Sequence, residues 1–156
     1  MNKESQRTAL ETLTRYLQEK DWKVELIENE TAFKASKEGE LCPLDYYFQL
    51  KPDLEQFLFY IVPTITLLQE MLTPVAEFVC RANFGLRIGS FELDFTSGQL
   101  SFKSALNFKG VALSSTLIDN VIQPALTAFD EFFPAAAQVI AGLQAPAEAI
   151  RKVEYG

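Results

Sequence analysis

The chain has no histidine among its 156 residues. That absence removes the Ser-His-Asp and Cys-His nucleophiles, the imidazole general base and the usual imidazole zinc or iron site. Only two cysteines are present, Cys42 and Cys80, far apart and outside any C-x-x-C motif. They read as small buried hydrophobes in a reducing compartment, and a Cys80 nucleophile would lack a base. Basic residues are also scarce: 14 Lys and Arg against 21 Asp and Glu leave a net charge of −7. A phosphate backbone needs the opposite balance, so nucleic acid is not an expected partner. Long apolar runs are missing too. The longest, Phe57 to Leu68, contains Pro63 and is too short to span a bilayer. The opening Met-Asn-Lys-Glu-Ser has no signal-peptide character, so a soluble cytoplasmic protein is expected. Without secretion, the sequon Asn29-Glu30-Thr31 is taken as chance.

What the chain does have is aromatic and apolar mass. Thirteen Phe, five Tyr and one Trp accompany an apolar content of 48%. At this length one domain over residues 1–156 with a sizeable core is expected. Core packing accounts for the rings better than base stacking, which would also require a basic groove.

The periodicity places the elements. Ala9, Leu10, Leu13, Tyr16 and Leu17 recur at spacings of three and four, predicting a helix over residues 5–20 capped by Ser5. Trp22, Val24 and Leu26 alternate with polar residues as in a strand; Asn29-Glu30 turns into a second strand near Thr31–Ser36. Glu38-Gly39-Glu40 forms the next turn, Leu44–Leu50 a third strand, and Lys51-Pro52-Asp53 a break. The unbroken run Phe57–Val62 predicts a fourth strand buried on both faces, continuing weakly past Pro63 to Thr66. A helix over residues 69–83 carries Met71, Leu72, Val75, Phe78, Val79 and Ala82 as its buried stripe, with Pro74 in the first turn. Gly85 is expected to end it with a positive φ.

Residues 91–103 predict a hairpin. With Ser97-Gly98 as a two-residue turn, Phe95 faces Leu100, Leu93 faces Phe102 and Glu92 faces Lys103. Ser114 or Ser115 then caps a helix carrying Ile118, Val121, Ile122, Ala125, Leu126 and Phe129, with a kink at Pro124. Pro134 starts a separate last segment, Ala135–Ala141, ended by Gly142; residues 146–156 read as a loose tail. From Gly110 to Ala147 there is no Lys or Arg. Helices with so little charge must pack on this chain's sheet or on another molecule. Phe129, Phe132, Phe133 and Val139 are therefore the candidate partner or dimer surface.

The pattern supports no catalytic, cofactor or metal residues. Glu92 and Asp94 share a strand face beside Lys103 and read as a wet face. Asp130 and Glu131, adjacent on a helix, point apart. The glycines of Asn83-Phe84-Gly85-Leu86-Arg87-Ile88-Gly89 stand in helix-to-strand order, opposite to a phosphate-binding loop.

Pro74-Val75-Ala76-Glu77-Phe78, Arg81-Ala82-Asn83-Phe84-Gly85-Leu86 and Ile88-Gly89-Ser90-Phe91-Glu92-Leu93-Asp94 together resemble the YbjN-type family. The likeness continues through Phe102-Lys103-Ser104-Ala105-Leu106 and Phe129-Asp130-Glu131-Phe132-Phe133-Pro134 to about Gly142, with Thr73 and Cys80 as departures. Proteins of this family are small bacterial proteins labelled sensory transduction regulators, similar in structure to type III secretion chaperones. The resemblance implies an α+β fold: a helix, three to four strands of an antiparallel sheet, a helix, a hairpin and C-terminal helices. It also implies a non-enzymatic, dimer-forming class of module that holds extended segments of a partner polypeptide. The expected function is accordingly a chaperone-like or regulatory protein-interaction module, homodimeric and without cofactor. The alternative is a carrier of an apolar small molecule in a Phe-lined cavity.

Overall fold

The computed structural model describes residues 3–27, 29 and 31–156. Helix α1 (Lys3–Glu19) buries Ala9, Thr12, Leu13, Tyr16 and Leu17, the stripe read from spacing. The chain then enters an antiparallel meander of β1 (Glu25–Ile27), β2 (Ala32–Glu38), β3 (Pro43–Lys51) and β4 (Gln56–Pro63). Helix α2 (Leu72–Gly85) follows a short 3-10 turn, and the hairpin β5 (Ser90–Asp94) and β6 (Gln99–Asn107) comes next. Helices α3 (Ser115–Ile140) and α4 (Pro146–Tyr155) close the chain. The six strands form one sheet in the order β1-β2-β3-β4-β6-β5. This is the α+β order expected, with β6 inserted beside β4 so that β5 lies at the rim.

Alternation along the strands decides where the core sits. Leu44, Tyr46, Phe48 and Leu50 of β3, Phe57, Phe59 and Ile61 of β4, Phe91 of β5, and Leu100 and Phe102 of β6 share the helix-covered side. Their rings meet edge to face or tilted, Phe91 on Phe102 at 5.0 Å and Phe48 on Phe59 at 5.1 Å. The expected burial of β4 on both faces does not hold. Leu58 and Tyr60 are only half-buried, because no helix covers the second side among the described residues. The strand also stops at Pro63 rather than reaching Thr66. There Thr64 donates both its N–H (3.0 Å) and its hydroxyl (2.9 Å) to the Pro43 carbonyl and turns the chain. Pro63 lies beyond the last β4–β6 pair, Ile61 with Phe102, so its missing donor leaves no gap on that side.

Trp22 lies ahead of β1, not in it, and packs on Tyr46 and Phe48 at 5.0 and 4.9 Å. Of the expected Asn29-Glu30 turn, Asn29 has φ +52°, whereas Glu30 lies outside the described residues. The hairpin exists, but in another register. Leu93 pairs with Leu100 and Phe91 with Phe102, so the turn is longer and Phe95 is exposed. Asp94 sets this turn, accepting from the Thr96 N–H (3.0 Å) and the Ser97 hydroxyl (2.7 Å) while its carbonyl takes the Gly98 N–H (2.8 Å). A slip of two residues leaves every side chain on its own face, so the apolar pattern could not distinguish the registers.

Ser114 caps α3 as expected, its hydroxyl oxygen accepting from the Leu117 N–H at 3.1 Å. The helix then runs through both Pro124 and Pro134, so Pro134 does not begin a new segment. Its C-terminus is a Schellman motif: Gly142 (φ +73°) donates to the Val139 carbonyl and Leu143 to that of Gln138. Residues 146–156 are not a loose tail. They form α4, started by Pro146, which buries Ala149 and Ile150 against α2 and α3. Gly85 is likewise not left-handed but is the last helical residue of α2. A Cβ there would displace only the end of the Glu154 side chain on α4. The glycine the turn requires is Gly89, at φ +75°, where a Cβ would stand 2.6 Å from the Phe102 ring.

Candidate interaction surfaces

The four residues expected to face a partner are all in the core. Phe129 and Val139 are 2% and 1% exposed, and Phe132 and Phe133 are 6% each. Phe129 stacks on Phe133 at 4.7 Å and meets Phe91 at 6.3 Å. The charge-poor stretch was correctly read as needing cover. The cover is this chain's own sheet and α4.

The carrier cavity is also filled. Phe48, Phe57, Phe59, Phe78, Phe91 and Phe102 pack ring against ring with almost no exposure. None of the six lines any of five surface depressions, all of which are open to solvent. Neither cysteine is a buried hydrophobe: Cys42 is half-buried and Cys80 exposed, both as free thiols. Cys80 lies two residues past Phe78, on the opposite side of α2 from the stripe. Desolvation pushes the Cys42 thiol up, away from thiolate character. Among the described residues, no group of three His, Cys, Asp or Glu could hold a metal. Among the same residues no helix is long and apolar enough to cross a membrane.

Two surfaces combine exposure with aromatic side chains. The larger is the uncovered side of the sheet, whose side chains align in cross-strand rows. One row runs Lys34, Tyr47, Tyr60, Lys103 across β2, β3, β4 and β6, and the next runs Ile27, Ala32, Gln49, Leu58, Ala105. Tyr47 and Tyr60 are direct cross-strand neighbours at its middle. With Val62, Gln49, Leu93 and Ser101 they line an open trough of about 640 Å3. Val62 and Ala32 are buried here yet take no part in the main core, so this side has a small apolar floor of its own. Both lysines are held by carboxylates: Lys34 by Asp45 at 3.8 Å, and Lys103 by Glu92, which raises the Lys103 pKa. The Glu92–Lys103 pair is the one expected, but it runs diagonally. Each pair is partly solvated and worth under about 1 kcal/mol; together they keep charge at the rim and tyrosine at the centre. Tyrosine offers a large rigid apolar area with a polar tip, the side chain most suited to gripping a polypeptide.

The second surface lies where α2 meets α4. Phe84 is 96% exposed, and with Cys80, Arg81, Ile150 and Glu154 it borders a shallow depression. Tyr16 donates its hydroxyl to Asp119 at 2.7 Å, joining α1 to α3; burial, then this bond, push its pKa well up. The sequence reading missed Tyr47, Tyr60 and Phe84. The signals were present: period two sets Tyr47 and Tyr60 opposite the Phe-bearing side, and Phe84 falls off the α2 stripe.

Comparison with known proteins agrees with this architecture. A family model, YbjN, described as "Putative bacterial sensory transduction regulator", matches residues 9–138. The crystal structure of YbjN from E. coli is similar with a TM-score of 0.60 at 15% identity, over 89% of this chain and 92% of that one. A chain of the ExsC–ExsE complex is similar at 0.51 and 14%, over 81% and 90%. An uncharacterized protein from Methanothermobacter thermautotrophicus reaches 0.49 at 16% identity, over 86% and 97%. At such identities the likeness is one of fold. No curated protein matches the sequence.

Proposed function

Since the chain belongs to the YbjN family, we propose that it is a non-enzymatic protein-interaction module that holds an extended segment of a partner polypeptide across the open side of its sheet. The observation that carries this reading is the uncovered, tyrosine-centred face: a six-stranded sheet with helices on one side and a trough of about 640 Å3 on the other. The fold it shares with a chain of the ExsC–ExsE complex, an assembly of two proteins, supports the same role. Two free thiols fit a reducing cytoplasm. The module acts as a homodimer whose copies meet around Phe84, the most exposed large apolar side chain among the described residues. The test is affinity capture from the native cell extract with the wild type and with Tyr47→Lys/Tyr60→Lys. Loss of the captured polypeptide in a variant that melts like the wild type supports the reading. An unchanged set of captured polypeptides contradicts it.

A further inference from the structure

A sheet rim presents N–H and C=O groups that template another strand, and proteins must close such rims or use them. β5 is the rim strand beyond β6. At its second residue the rim is already occupied. The Phe91 N–H donates to Asn83 Oδ1 at 2.8 Å, and the Asn83 amide Nδ2 donates to the Phe91 carbonyl at 3.0 Å. Because both Phe91 backbone groups are engaged there, Phe91 and Phe102 form a non-hydrogen-bonded pair, and Phe91 points its peptide groups outward. The Asn83 side chain makes the two bonds that a residue of a seventh strand would make. One carboxamide carries the donor and the acceptor needed.

The placement is built by the fold. Asn83 stands in the last turn of α2, next to Ala82, which is fully buried. Phe78, one turn earlier, packs edge to face on Phe91 at 5.9 Å. Gly89, in its left-handed conformation, folds the chain back so that β5 runs under that turn.

A second feature acts along the same rim. Outward peptide groups belong to the odd positions of β5, so a second copy pairing antiparallel across a two-fold axis must match odd with odd. If Phe91 pairs with Leu93, Glu92 stands opposite its own counterpart; a two-residue shift sets it opposite Asp94. Like charges directly opposed destabilise a pair. The other shift, Phe91 opposite Phe91, frees Glu92 from an acid but sets the two Asn83 plugs at the centre of the contact. Every near register meets an obstacle.

We infer that the Asn83 carboxamide, backed by Glu92 and Asp94, closes the β5 rim of this sheet against strand addition by a second copy of the chain. The inference rests on the outward backbone groups of β5 and does not depend on the proposed Phe84 dimer or on a polypeptide held at Tyr47 and Tyr60, although Glu92, Leu93 and Asp94 of β5 also border the trough.

The experiment combines amide hydrogen exchange, resolved by NMR, with sedimentation, the wild type being the reference in each. In the wild type the Phe91 amide is protected although it points away from β6. In Asn83→Ala that protection is lost while the protein is dilute. As concentration rises the protein sediments as species larger than the wild type, with the Phe91 amide protected again by the added strand. Asn83→Ala/Glu92→Ser does so at lower concentration. Asn83→Asp keeps the acceptor for the Phe91 N–H, so there the amide stays protected. A wild-type Phe91 amide that exchanges like a free one overturns the inference, whatever the variants do. So does a folded Asn83→Ala protein whose sedimentation matches the wild type at every concentration. If Asn83→Ala does not fold, Asn83→Asp with an unprotected Phe91 amide overturns it equally.

Discussion

Two phenylalanines that look alike in sequence are set apart by the structure, and their truncation measures the difference. Phe129 is 2% exposed, stacked on Phe133 at 4.7 Å and tilted against Phe91 at 6.3 Å; Phe84 is 96% exposed. Phe129→Ala removes a ring from a site closed by β5 and α3 and leaves a void that packed neighbours refill only in part. Transfer and cavity together cost about 3–5 kcal/mol, with lost ring pairing inside that range or adding up to about 1 kcal/mol. Against a total stability of roughly 5–15 kcal/mol this is a large fraction. Phe84→Ala touches no core and should stay within about 0.5 kcal/mol. Urea unfolding followed by circular dichroism reads both. With m of about 2 kcal/mol/M, the Phe129→Ala midpoint falls by about 1.5–2.5 M while m is unchanged, and that of Phe84→Ala barely moves. A Phe129→Ala loss below about 1 kcal/mol would refute the placement of α3 over the sheet. It would also return Phe129 to the surface, where the sequence alone had put it.

Three further outcomes are expected. Gly89→Ala should destabilise by more than the roughly 1 kcal/mol of a left-handed alanine, because its Cβ would also meet the Phe102 ring at 2.6 Å; Gly142→Ala, with open space around it, should show only the conformational cost in thermal melts. The raised Tyr16 pKa means the folded state resists ionising the phenol. Its contribution is complete below the ordinary tyrosine value near pH 10 and is lost as pH rises above it. Tyr16→Phe should therefore be less stable at neutral pH by about 1 kcal/mol and lose less between pH 9 and 11; an identical alkaline slope would remove Tyr16 from that account. Phe84→Asp should shift a homodimer toward monomer in sedimentation without lowering the melting temperature of the isolated fold, and an unchanged association would move the dimer contact elsewhere.

Local rules carried the sequence reading where chemistry is local. The α1 stripe, the Ser114 cap and the Gly142 terminus each follow from a few neighbouring residues, and each is found. What failed depended on partners distant in sequence. Pro134 looks like a helix start until Ala135, Ala136 and Val139 are seen buried in continuation of the same helix. The tail after Ala145 looks loose until Ile150 is packed on α2. Phe129, Phe132, Phe133 and Val139 looked like a surface in search of a partner because a sequence shows an apolar excess but not what covers it. The open side of the sheet was hidden in the reverse way. Leu58, Tyr60 and Val62 read as one more buried run, since burial on one face or two depends on how many helices reach the sheet.

The claim that matters most is that the tyrosine side of the sheet holds a polypeptide. It is tested most directly by placing a photo-crosslinking phenylalanine analogue at position 47 or at position 84 and irradiating in the native extract. The account predicts that position 47 yields adducts carrying a segment of another protein, and that position 84 yields adducts of the chain with itself. Foreign adducts at position 84 and none at position 47 would contradict it.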